Sequence, residues 1–165
     1  MITIRLMGGL GNQMFQYAAL RTAMIDFKDN GTISLAGITN KTHNVYALNH
    51  FNLSKKVLVS NKKNIKCEIV HLIYGLYYLF LIKKTNGFEI MKKWSLNLNE
   101  KGMYCVPDGY IPLKDSNSKN KAMVGYFQSV KYFEKYQSII SKELTVKDKI
   151  KLHNVEILKK IKHRK

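Results

Sequence analysis

Gly8-Gly9-Leu10-Gly11-Asn12-Gln13 puts three glycines in four positions and follows them with two side-chain amides. Glycine lets the backbone come close to a ligand and adopt positive φ. The free N–H groups of a helix that starts here favour an anion. Asn12 and Gln13 offer uncharged donors and acceptors, suited to sugar hydroxyls as much as to phosphate. The same glycines also suit a plain strand-to-helix turn, and they do not by themselves choose between the two readings.

Two familiar phosphate loops fail on their diagnostic residues. A dinucleotide fingerprint needs a third glycine and an acid at the end of the second strand. Gly9 and Gly11 supply the first pair, but Met14 stands at the third position and the next strand runs out at Leu35 and Ala36. A nucleoside-triphosphate loop needs Gly-Lys-Ser/Thr, whereas Gly11 precedes Asn12 and Gln13.

The elements around the loop follow from periodicity. Ile2–Met7 alternates and is β-branched, which predicts a first strand. Asn12 is the candidate helix N-cap. Tyr17, Leu20, Met24 and Phe27 recur at helical spacing, Asp29–Gly31 stops the helix, and Thr32–Gly37 predicts a second strand. Strand, loop, helix and strand make a βαβ unit, hence a parallel sheet in an α/β fold. Residues 40–54 predict an irregular excursion, and 85–121 is mixed. Ala122–Ser129 predicts a short strand turning at Gly125. Val130–Leu144 predicts a helix, and Val146–Lys165 a lysine-rich amphipathic one.

Within a helix expected over Glu68–Lys84, the run Ile69–Ile82 is apolar and uncharged. Its fourteen residues fall short of the ~20 that span a bilayer. The reading is a buried core helix, with a helix lying in a membrane interface as the alternative.

Composition bounds the rest. A chain of 165 residues suggests one domain, or one and a piece of a second. Lys and Arg total 28 against 11 Asp and Glu, a net charge of +17, which attracts polyanions. The lysines are spread evenly, which argues against one nucleic-acid-binding face. Cys67 and Cys105 form neither a disulfide framework nor a metal site. A reduced, cytoplasmic setting is expected, and the opening strand with Arg5 inside it is unlike a signal peptide.

Two stretches together carry a resemblance. GGLGNQMFQYAAL (Gly8–Leu20) and GYFQSVKYF (Gly125–Phe133) resemble the bacterial galactoside α-1,2-fucosyltransferases, glycosyltransferase family 11. YALNHFNL (Tyr46–Leu53) is similar to a weaker stretch of that family. The resemblance implies a GT-B architecture of two Rossmann-like halves facing a cleft. Residues 1–145 would form the N-terminal, acceptor-side domain, a Rossmann-like parallel sheet with flanking helices. Residues 146–165 would be a terminal helix leading toward a donor-binding domain.

It implies inverting transfer of fucose from GDP-fucose to the 2-hydroxyl of a galactose, with no essential metal or other cofactor. Gly9, Gly11, Asn12, Gln13, Tyr126, Gln128 and Ser129 would line the substrate cleft. The acceptor would be a galactose-containing surface glycan or lipid-linked oligosaccharide, with peripheral contact to the cytoplasmic membrane face. No nucleic acid is expected.

One departure bears on activity. The family's donor-phosphate motif, His-x-Arg-Arg-x-Asp, is absent, and Lys162–Lys165 (KHRK) matches it only superficially. The arginines are Arg5, Arg21 and Arg164, with no Asp-x-Asp to hold a metal instead. No catalytic residue is identified, and the expectation is a chain truncated before that motif and inactive alone. A non-catalytic remnant or a basic nucleic-acid-binding domain are the alternatives.

Overall fold

The structure, a computed structural model, describes residues 1–39, 45–148, 150, 152 and 155. Its elements are β1 (Ile2–Arg5), α1 (Leu10–Asp26), β2 (Gly31–Ser34), β3 (Val57–Ser60), α2 (Ile65–Leu76), α3 (Gly87–Asn99), β4 (Met103–Val106), β5 (Lys121–Gly125) and α4 (Gln137–Glu143). One π-helical turn, Tyr77–Leu81, continues α2.

All strand pairings in the five-stranded sheet are parallel, in the order β3-β2-β1-β5-β4. The α/β expectation therefore holds. In the central strand, Ile4 pairs with Ile33 on one side and Met123 on the other. The chain builds outward from β1 to β3, crosses to the far edge, and returns to place β5 against β1. The step from β4 to β5 thus runs the same way across the sheet as the steps from β1 to β3.

Strand alternation sorts the core into two layers. Ile2, Ile4, Leu6, Ile33, Tyr104, Val106 and Met123 pack with Tyr17, Leu20 and Met24 of α1. Met7, Cys105, Ala122 and Val124 pack on the other face with Cys67, Val70, Tyr77, Leu81 and Met91. Both cysteines are buried and unpaired by disulfide. Burial pushes each thiol up to about 12, so they serve as small core residues.

Several expectations need correction. The N-cap of α1 is Gly9, with no side-chain cap, and Asn12 lies inside the first turn. β2 ends at Ser34, and Leu35–Gly37 is a 3₁₀ turn because the Ser34 hydroxyl accepts the Ala36 N–H. α3 and β4 lie where mixed structure was expected, and β3 lies in a stretch between the irregular excursion and the apolar helix for which no element was expected. The cause in α3 is its buried face, which includes Ser95 and Asn99. Their side chains donate to the carbonyls of Cys105 and Pro112, so an apolar period never shows. Val130–Leu144 is two 3₁₀ turns followed by α4, not one helix. Val146 forms an antiparallel bridge to Phe51, and most of the terminal helix expected over 146–165 lies outside the described residues.

The run Ile69–Ile82 is not a buried helix. Val70, Tyr77 and Leu81 face the core, but Ile69, Leu72, Leu76, Leu79, Phe80 and Ile82 face outward. A helix seated on a sheet meets it along one stripe only. No helix among the described residues is long and apolar enough to cross a membrane.

An ion cluster closes the N-terminal edge of the sheet. Lys121, whose side chain is 7% exposed, donates to Asp29 at 2.8 Å and sits 3.2 Å from Asp115. The Met1 amine lies 2.7 Å from the same Asp29. Partial burial pushes the Asp29 carboxyl up, but hydrogen bonds from Lys121 and the amine outweigh it and hold the group below the usual range. A depressed carboxylate contributes stability above its unfolded pKa and loses it as pH falls through the folded pKa. Asp29→Asn is expected to cost about 1–3 kcal/mol near neutral pH. In urea melts across pH, the gap to the native chain should close in acid below the ordinary aspartate range. A gap that stays constant with pH would refute the ionic origin.

Candidate functional site

The glycine loop leaves the carboxyl end of β1, and Tyr126–Ser129 leaves the carboxyl end of adjacent β5. Both loops lie at the carboxyl ends of the strands, the side where ligands usually sit in an open parallel sheet, and the segments that follow them pack on each other, Phe15 of α1 against Phe133. The two loops touch: the Gln128 side-chain amide donates to Asn12 Oδ1 at 2.8 Å. Tyr126 packs beside Gly8, where an added Cβ would come within 3.3 Å of its ring and 2.6 Å of the Asn12 amide nitrogen. Gly8 also has φ +75°, so glycine is required there for both conformation and space.

Gly11, Gln128 and, in part, Gly9, Asn12, Tyr126 and Ser129 are open to solvent. A Cβ at Gly11 would meet nothing within 4 Å. Gly11 also borders an apolar groove of about 430 Å³ between α1 and α4, lined by Met14, Phe15, Phe133 and Ile140 among others.

Gln13 behaves differently. It is fully buried; its amide donates to the carbonyls of Gly8 and Val45, both at 2.8 Å. Its carbonyl accepts the Ala47 N–H at 3.0 Å. Gln13 therefore ties the loop to 45–47 and has its polar atoms engaged within the fold. Phe127 is also enclosed, with φ +54°. That is a strained conformation for a bulky residue, and it stacks edge-on against Tyr132 at 5.3 Å.

Sequence reasoning missed two groups near these loops. Gln16 is buried and bonds both the N–H and the carbonyl of Met7, at 3.0 and 3.1 Å. An aromatic row also reaches the site. His71 stacks on Tyr74 at 6.1 Å, and Tyr74 meets Tyr126 edge-on at 6.4 Å. The Tyr74 hydroxyl donates to Tyr78, which donates to the Pro107 carbonyl. Burial pushes the His71 imidazole down, the Arg5 charge adds to this, and Glu68 opposes it. A histidine in an otherwise uncharged apolar run was the available signal.

The described arginines are committed elsewhere. Arg5 Nε donates to Glu68 at 3.2 Å. Arg21 Nε reaches both carboxylate oxygens of Glu143 at 3.0 Å, and Tyr17 donates to the same carboxylate at 2.6 Å. Arg164 lies outside the described residues, as does KHRK. Among the described residues no group of three His, Cys, Asp or Glu side chains is arranged to hold a metal.

No family model matches the chain, and no curated protein or solved structure matches it either.

Two substitutions separate backbone constraint from open space. Gly8→Ala should cost about 1–2 kcal/mol, with crowding against Asn12 and Tyr126 added to it. Gly11→Val should stay within about 0.5 kcal/mol of the native chain. Urea denaturation of both variants checks this, and equal costs would overturn the account of the loop. Gln13→Ala should cost about 1–3 kcal/mol by leaving two carbonyls and an N–H without their partner, read in the same assay.

Proposed function

We propose that this chain is the acceptor-side domain of a galactoside α-1,2-fucosyltransferase, Rossmann-like within a GT-B architecture and similar to glycosyltransferase family 11. The supporting observation is the meeting of the two stretches that carry the resemblance. Gly8–Leu20 and Gly125–Phe133 lie far apart in sequence, yet Asn12 and Gln128 are hydrogen-bonded at the carboxyl ends of neighbouring strands. Chance motif matches have no reason to meet at one end of the sheet.

In the proposed reaction the galactose 2-hydroxyl attacks C1 of fucose. The bond from C1 to the β-phosphate oxygen breaks, GDP departs with the electron pair, and the hydroxyl proton passes to a base. The solvent-facing amides of Asn12 and Gln128 suit the orientation of sugar hydroxyls. Gly11 leaves room for a ring close to the backbone. The departing diphosphate needs cationic donors placed where charge develops. Arg5 and Arg21 are held by Glu68 and Glu143, so the clamp belongs to a donor-binding unit. The site is proposed to act on glycans built at the cytoplasmic face of a membrane.

Titration of the ¹⁵N-labelled chain with a β-galactoside tests the reading. Amide shifts should concentrate at Gly8, Gly11, Asn12 and Gln128, and Gly11→Val should abolish them while the chain stays folded. Shifts elsewhere, or none, would overturn it. In a radiolabelled GDP-fucose assay the chain alone should give no product. Adding a donor half that carries His-x-Arg-Arg-x-Asp should restore turnover, since losing even one such donor costs roughly 10²–10³ in rate.

A further inference from the structure

We infer that the outer face of α2 and its π turn docks into the headgroup region of an anionic lipid surface. The inference extends the membrane-face part of the proposed function to a particular surface, and its test reads lipid binding without any sugar transfer. It rests on an apolar stripe that the fold leaves uncovered. Ile65, Ile69, Leu72, Leu76 and Leu79 follow one another at intervals of four and three along the helix. Ile65, Leu72 and Leu79 are 79%, 65% and 75% exposed.

The π turn enlarges the stripe. Tyr77 and Leu81 both point into the core, so the wider turn sends Tyr78, Leu79 and Phe80 outward together. Scattered surface apolar residues are ordinary, but a contiguous run of this length marks a contact surface.

Charge selects the partner. Lys62 and Lys63 precede the stripe, and Lys83 and Lys84 follow it. Between 62 and 84 the one acid is Glu68, which is paired with Arg5. Lys66 turns away, donating to the carbonyls of Lys101 and Asn120. The surface is thus an apolar strip with lysines at both ends, and the one acid along it, partly exposed Glu68, has its charge paired with Arg5. That pattern fits acyl chains beneath anionic headgroups, with the lysines on the phosphates and the Tyr78 and Phe80 rings at the boundary. Docking a second copy on the same strip would bring both sets of lysines together with no opposing acids. A segment of this length lies in the interface rather than across the bilayer.

The test is sedimentation of the intact chain with sucrose-loaded vesicles. One set contains phosphatidylglycerol with phosphatidylcholine, and the other phosphatidylcholine alone. The chain should pellet with the anionic set and stay in the supernatant with the neutral one, with binding falling as salt rises. Leu72→Glu and Leu79→Glu should each weaken binding about tenfold or more, and Lys83→Gln and Lys84→Gln about fivefold each. Leu58→Glu, equally exposed but on β3, should bind as the native chain does. Should the glutamates unfold the chain, Leu72→Gln and Leu79→Gln carry the same test. No pelleting with anionic vesicles would overturn the inference. So would stripe variants that bind normally, or a native dimer in light scattering that Leu72→Glu dissolves.

Discussion

The structure depends on β1 being enclosed on all sides. Its two edges pair with β2 and β5, and Ile2 and Ile4 are completely buried. A strand in that position has no freedom to slip, because a shift of one residue would exchange its two faces. The chain then has one way to leave each central strand, at the same end of the sheet. Backbones of neighbouring parallel strands lie about 5 Å apart. The segments that emerge from β1 and β5 must therefore either clash or be built of residues that allow contact. Gly8 is the answer at this junction. A side chain there would strike Asn12 and crowd the Tyr126 ring. Gly125 answers to the other neighbour, since a side chain there would strike the Val106 carbonyl of β4. The meeting of the two loops is a consequence of strand order, and Gly8 makes room for it.

What holds the glycine loop in place is a pair of buried amides. Gln16 bonds Met7 on both its N–H and its carbonyl, as a neighbouring strand would. Gln13 does the equivalent for Gly8, Val45 and Ala47. Fully satisfied buried networks fix one arrangement, and partly satisfied ones are costly. Phe127, held at positive φ by its burial against Tyr132, completes the far wall. Such local strain persists only where the surroundings over-determine it. A pre-set wall suits the proposed binding site, because ordering it on ligand arrival would subtract from affinity.

The sequence made β1, α1 and β5 legible because burial on both faces or a regular apolar period leaves a direct pattern. It did not reveal β3, which is four residues long with partly exposed side chains and lysines before it. It hid α3, because Ser95 and Asn99 occupy core positions and are satisfied by carbonyls distant in sequence. Asn12 illustrates a similar limit. Its type fits an N-cap, but Gly9 takes that place and leaves the Asn12 amide for Gln128. The candidate residues Gly8 to Gln13 and Tyr126 to Ser129 were legible as motifs. Their division into crevice-facing and scaffold-facing members was not, since that depends on contacts across the sheet. Gln13 and Asn12 are adjacent and chemically alike, yet one is buried in the fold and the other borders solvent.

The two cation types are used for different work. Arg5 and Arg21 are turned inward, each fixed to a carboxylate whose neighbours also bind it or lie close. A planar fork suits such partly enclosed pairs. The described lysines are mostly at the surface, with Lys121 and Lys66 the clear exceptions. Ammonium groups on flexible stems create a diffuse positive field, not a shaped receptor. The large net charge therefore suits an extended anionic surface better than a phosphate pocket. In the lipid docking proposed above, the apolar strip on α2 would give that association a direction, because field strength alone does not decide which side of the molecule faces the surface. Lysines would attract the chain from a distance set by screening, and the strip would fix its orientation once in contact.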